Sequence, residues 1–112
     1  MVRLAHQWSL GRIDDASNFV WSDRFLSTYG SFVKKYPPGS EEFRKVVSVC
    51  AWFETVGTLY KHGLLNRELL FDCLAVEPIW NRVKAFALGM RKDRKVPRLW
   101  ENFELMAKAQ AE

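Results

Sequence analysis

Residues 40–63 read SEEFRKVVSVCAWFETVGTLYKHG, and this stretch decides the fold. Ser40 offers a hydroxyl to the free amides of a first turn. Glu41 and Glu42 place negative charge at the positive end of a helix dipole. Behind them Phe43, Val46, Val47, Cys50, Phe53 and Tyr60 share one helical stripe, with Val49, Trp52, Val56 and Leu59 on a neighbouring one. A helix apolar over so much of its circumference is expected at the centre of a domain, touched from several sides. Lys61 and His62 in its last turn, then Gly63 as a left-handed cap, mark the end.

Upstream, Pro37-Pro38-Gly39 stop the preceding helix, because proline disfavours helical geometry in the residue before it. That helix is expected to begin at a capping Ser22 and to carry Phe25, Leu26, Tyr29, Phe32, Val33 and Tyr36 on one face. For residues 1–21 two readings stay open, an N-terminal arm or short helices. Leu4 and Trp8 can start a helix, and residues 16–21 can extend the Ser22 helix backward. Gly11 and Asp14-Asp15 interrupt any single long one.

Downstream, Asn66 is placed to cap a short helix through Leu69, Leu70, Cys73 and Leu74. Pro78 fits the first position of a fourth helix, where its missing N–H is harmless; Ile79, Val83, Phe86, Ala87 and Met90 form its stripe, with Trp80 beside it. Gly89 inside that pattern costs about 1 kcal/mol relative to Ala and allows close helix contact. Pro97 is expected to start a fifth helix bearing Leu99, Trp100, Phe103, Met106 and Ala107. No stretch alternates with period two for long. The chain therefore predicts an all-α fold, one domain over residues 1–112, a compact bundle of about five helices whose short connections favour antiparallel neighbours.

Composition agrees. At 112 residues the chain has room for one domain, and 48% hydrophobic residues against 27% charged argue against disorder. Five Trp, eight Phe and three Tyr supply a core without disulfide or metal staples. A mean hydropathy of −0.21 and the lack of a long apolar run argue against a spanning helix and any membrane partnership. The residues before Arg12 lack the apolar core of a signal peptide. Cys50 and Cys73, each in an apolar stretch with no C-x-x-C, suit a reducing interior, and the protein is expected to be cytoplasmic.

Chemistry is harder to find. His6 and His62 have no His or Cys at ligand spacing, so no metal and no cofactor is expected. No G-x-S-x-G is present, and an apolar setting leaves a thiol inert. Six scattered glycines form no phosphate loop. Glu54 stands out, because a carboxylate on or beside an apolar stripe has to be paired, hydrogen-bonded or shifted in pKa. It is read as half of a buried ion pair with Arg91, with Arg82 or a Lys of the fourth helix as alternatives, or as lying at the edge of the stripe. The sharper reading makes it a functional acid. Arg91, Lys92, Arg94, Lys95 and Arg98 hold five cations around the single acid Asp93, a local +4 equal to the whole net charge. They suit the negative end of a helix dipole, and they also suit an anion or nucleic acid. Trp52, Phe53, Trp80, Trp100 and Phe103 read as core, whereas exposure of Trp8 or Trp21 would mark a contact surface.

The segments Trp52-Phe53-Glu54-Thr55-Val56-Gly57-Thr58-Leu59 and Lys61-His62-Gly63-Leu64-Leu65 lead on to Trp80, Arg82-Val83-Lys84, Arg91 and Trp100-Glu101-Asn102-Phe103-Glu104. Over about residues 43–107 this pattern resembles an uncharacterised prokaryotic family, domain of unknown function 4760. The resemblance implies an all-helical domain with no assigned activity and no catalytic residues to carry over. Many members carry an N-terminal membrane helix, from which this chain departs. The function expected is therefore a non-enzymatic helical protein-interaction module able to self-associate. The alternative is a nucleic-acid-binding module using residues 91–98.

Overall fold

The computed structural model describes residues 13–112, so His6, Trp8 and the expected start at Leu4 lie outside the described residues. Among those residues it contains six helices and no strand: α1 (Ile13–Trp21), α2 (Tyr29–Lys35), α3 (Glu41–Lys61), α4 (Arg67–Cys73), α5 (Val76–Asp93) and α6 (Glu101–Ala111). The all-α class is as the periodicity predicts.

The helix expected from Ser22 is two elements instead of one. The Ser22 hydroxyl donates to the Phe19 carbonyl (2.7 Å) and accepts from the Arg24 amide (3.3 Å), so it closes α1 and caps nothing after it. Arg82 of α5 fixes this end, donating to the carbonyls of Val20 (2.8 Å) and Ser22 (3.0 Å). Asp14 and Asp15, expected as interruptions, lie in the first turn of α1. Phe25, Phe32 and Tyr36 still turn inward across the break and join Phe19, Phe43 and Phe86 in one cluster of edge-to-face and tilted rings.

Helix α3 behaves as its two stripes require. The Ser40 hydroxyl accepts from the Phe43 amide (3.2 Å), and Val46, Val49, Cys50 and Val56 are fully buried. At the other end Gly63 is left-handed (φ 73°), with Gly63 N–H bonded to Tyr60 O and Leu64 N–H to Leu59 O. This is the paired-bond cap that favours glycine. The Asn66 side chain accepts from the Leu69 amide (3.0 Å) and starts α4 as expected.

Two starts are shifted. Helix α5 begins at Val76, which moves Pro78 to its third position; the first amides of a helix are unpaired anyway, so the proline is equally harmless there. Helix α6 begins at Glu101, because residues 97–100 form a turn that ends with Trp100 in left-handed geometry (φ 64°). For a bulky residue that geometry costs about 1–2 kcal/mol, held in place by burial of the indole.

Packing follows helix length more than order along the chain. Helix α3 lies between α1 and α6, and α5 packs on α6 and α2, so only α5 and α6 are extensive successive partners. The two-turn helices α2 and α4 each bury one side chain fully, Phe32 and Leu70, which is too little face to hold a sequence neighbour. What secures α4 is Gln110 of α6. Its Nε2 donates to the carbonyls of Leu74 (2.8 Å) and Phe71 (3.4 Å), and its Oε1 accepts from the Glu77 amide (2.7 Å). Arg67 adds a bond to the Ala109 carbonyl (3.1 Å).

Candidate functional site

Glu54 projects from α3 toward the first turn of α6. There the residue in the capping position, Trp100, has no side-chain acceptor for the free amides. Glu54 supplies it. Its Oε1 accepts from the Asn102 and Phe103 amides (both 3.0 Å), and its Oε2 accepts from Asn102 Nδ2 (2.9 Å). Asn102 Nδ2 also donates to the Thr58 hydroxyl (3.2 Å), which itself donates to the Glu54 carbonyl (2.9 Å). The two amides are the second and third of α6, the ones a capping side chain ordinarily satisfies, and the carboxylate charge faces the positive end of the dipole. Gly57 makes the approach possible, since a Cβ there would collide with the Asn102 carbonyl.

The expected buried pair between Glu54 and Arg91 is therefore absent. Glu54 is half-buried, and a helix start satisfies its carboxylate without a cation. Arg91 turns to α6 instead: Nε donates to the Leu99 carbonyl (2.8 Å) and the guanidinium pairs with Glu104 (3.3 Å). Arg82, the alternative partner, is held at the end of α1, its guanidinium 5.1 Å from the Phe25 ring centroid.

The basic segment divides in the same way. Arg98 pairs closely with Glu101 (2.6 Å) and holds that carboxyl below its ordinary value. Lys92, Arg94 and Lys95 are exposed and form no ion pair with the described residues. Asp93, the acid of the run, accepts from the Tyr29 hydroxyl (3.0 Å). That contact, after desolvation of the ring, raises the Tyr29 pKa.

Cys50 is buried, and burial reinforced by the Glu54 charge pushes its thiol up to about 12. Cys73 is exposed and both cysteines are free. Among the described residues no three His, Cys, Asp or Glu side chains converge as a metal site would require. Trp52, Trp80 and Trp100 are core residues as read, with Trp80 edge-on to Phe103 and Phe53 stacked on the same ring (both 4.9 Å). Trp21 is 51% exposed.

Sequence reading gave no role to Asn102, Thr58 or Gln110, although the first two stand among the residues quoted for the resemblance. Spacing along α3 hints at Thr58, because Glu54, Gly57 and Thr58 occupy one turn beneath the α6 start. Nothing local signals Gln110. The motif residues quoted for the resemblance, from Glu54 to Thr58 and from Trp100 to Glu104, are thus the two halves of one helix-docking joint.

A family model described as Domain of unknown function (DUF4760) matches residues 5–110, wider at both ends than the resemblance drawn over residues 43–107. No curated protein and no solved structure matches the chain.

Proposed function

The chain belongs to the family described as Domain of unknown function (DUF4760), and from that premise, which fixes no activity, we propose that it is a non-enzymatic interaction module of the cytoplasm. It binds a protein partner, a second copy of itself included, through the corner built on α4. The carrying observation is the exposure of Leu64 (68%) and Leu69 (55%) within six residues. Single exposed leucines are ordinary on a protein surface. Two within six residues, next along the chain to an open cleft lined by Asn66, Arg67, Glu68, Phe71 and Asp72, bring apolar and charged side chains to one corner.

The non-enzymatic part rests on where the reactive side chains go. Glu54 serves the start of α6, Arg91 serves Leu99 and Glu104, and the Cys50 thiol is buried. Two free thiols support a reducing compartment.

Sedimentation velocity over a concentration series, with cross-linking from lysate, tests the reading on wild type and on Leu64→Ser/Leu69→Ser. Wild type should self-associate or capture a partner, and the double variant should lose that contact while keeping its helical circular dichroism. A strictly monomeric wild type with no captured partner would overturn the reading, as would a variant that associates undiminished.

A further inference from the structure

The chain ends two helices with the same paired-bond cap and fills the critical position differently. After α3 the left-handed residue is Gly63, with φ 73°. After α5 it is Lys95, with φ 56°; Lys95 N–H bonds to Lys92 O and Val96 N–H to Arg91 O, the counterparts of the bonds at Gly63 and Leu64. Glycine holds this geometry without steric penalty, whereas a residue bearing a Cβ destabilises it. Lys95 therefore works against stability where it stands, and its exposed ammonium has no carboxylate partner among the described residues.

Lys92 and Arg94 share that condition. The two other cations of the run have carboxylate partners, the half-buried Arg91 in Glu104 and the exposed Arg98 in Glu101, and Tyr29 holds Asp93. Three exposed cations with no ion pair among the described residues thus stand within four positions at the end of α5. Helix α5 has 18 residues, about 27 Å, with the residues that follow α4 at its start and these cations at its end.

We infer that Lys92, Arg94 and Lys95 contact the phosphate backbone of a nucleic acid. Cations on an exposed turn can engage phosphates without any groove, and such contacts carry no sequence preference. Interfacial membrane binding would instead call for a helix with an apolar face beside its cations. Here Val96 is the one exposed large apolar residue within the run.

Fluorescence anisotropy with a labelled duplex of about 20 base pairs, titrated across a salt series, tests the inference. Three neutralised phosphates give a log–log salt slope of about −3. Lys92→Gln/Arg94→Gln/Lys95→Gln, checked by circular dichroism, should abolish binding, and Arg98→Gln should leave the slope unchanged. Lys95→Gly should raise Tm and make the slope shallower by about one unit, a change that a merely structural lysine would not produce. No duplex binding at low salt would overturn the inference. So would a triple variant that binds like wild type, an Arg98→Gln slope as altered as that of Lys95→Gly, or binding confined to phosphatidylserine vesicles.

Discussion

A carboxylate beside an apolar stripe needs compensation, and Glu54 finds it in two backbone amides and the Asn102 side chain, 48 and 49 residues along the chain. Composition and spacing identify such a residue as anomalous. They cannot say which partner answers it, because a helix start is invisible until that helix is placed. Replacement separates charge from shape. Glu54→Gln keeps an acceptor for the amides but loses the charge against the dipole, and should destabilise by about 1–2 kcal/mol. Glu54→Ala leaves the amides of Asn102 and Phe103 without this partner and should lower stability by about 2–4 kcal/mol. Urea unfolding measures both. An alanine variant as stable as wild type would remove the capping role.

At the scale of elements, the caps carried by their own segments were legible: Ser40, Asn66 and Gly63 all act where the sequence puts them. The misplaced boundaries share a different cause. Whether Ser22 opens or closes a helix is settled by Arg82 from α5, and where α6 starts is settled by Glu54 from α3. Glycines show the same division between local and distant control. Gly57 is pressed by the Asn102 carbonyl, and Gly89 lies where a Cβ would strike the Tyr29 side chain, so the close contact expected at Gly89 joins α2 to α5. Gly30, within α2, has open space around the position of a Cβ. Gly57→Ala should therefore destabilise by about 2 kcal/mol or more, since rigid backbone is what has to move. Gly30→Ala should stabilise by about 0.5–1 kcal/mol through reduced unfolded-state freedom and better helix propensity. Thermal or urea melts of the two variants should move in opposite directions.

For the whole molecule, the buried Cys50 thiol makes stability depend on pH in the alkaline range. The Cys50 thiol has an ordinary value of 9.0 and is pushed up to about 12 in the folded protein. Above pH 9 the unfolded chain releases that proton while the folded one retains it. The unfolded state then binds fewer protons, and stability falls as pH rises from about 9 toward 12. Tyr29, also raised, adds a loss of the same sign at higher pH. Urea midpoints between pH 8 and pH 10 should drop for wild type and drop less for Cys50→Ala, and equal drops would show that the thiol is not the cause. The all-helical globule and the central place of α3 could be read from periodicity alone. The pairing of α3 with α1 and α6 could not, because stripes fix faces and leave neighbours open.

Gln110 gives the fold a timetable. Its side-chain amide completes the start of α5 by accepting from Glu77, 33 residues earlier, and it secures the end of α4 through Leu74 and Phe71. A chain growing on the ribosome at about 5–20 residues per second makes Glu77 some seconds before the glutamine that serves it. Over that interval α1, α2 and α3 can already gather around Phe32 and Phe43, while α4 waits unlatched with its exposed Leu69 and its free Cys73 thiol, and Leu64 just before it. The final turn of α6 is therefore what latches this corner, and it does so after Asn102 and Phe103 have reached Glu54.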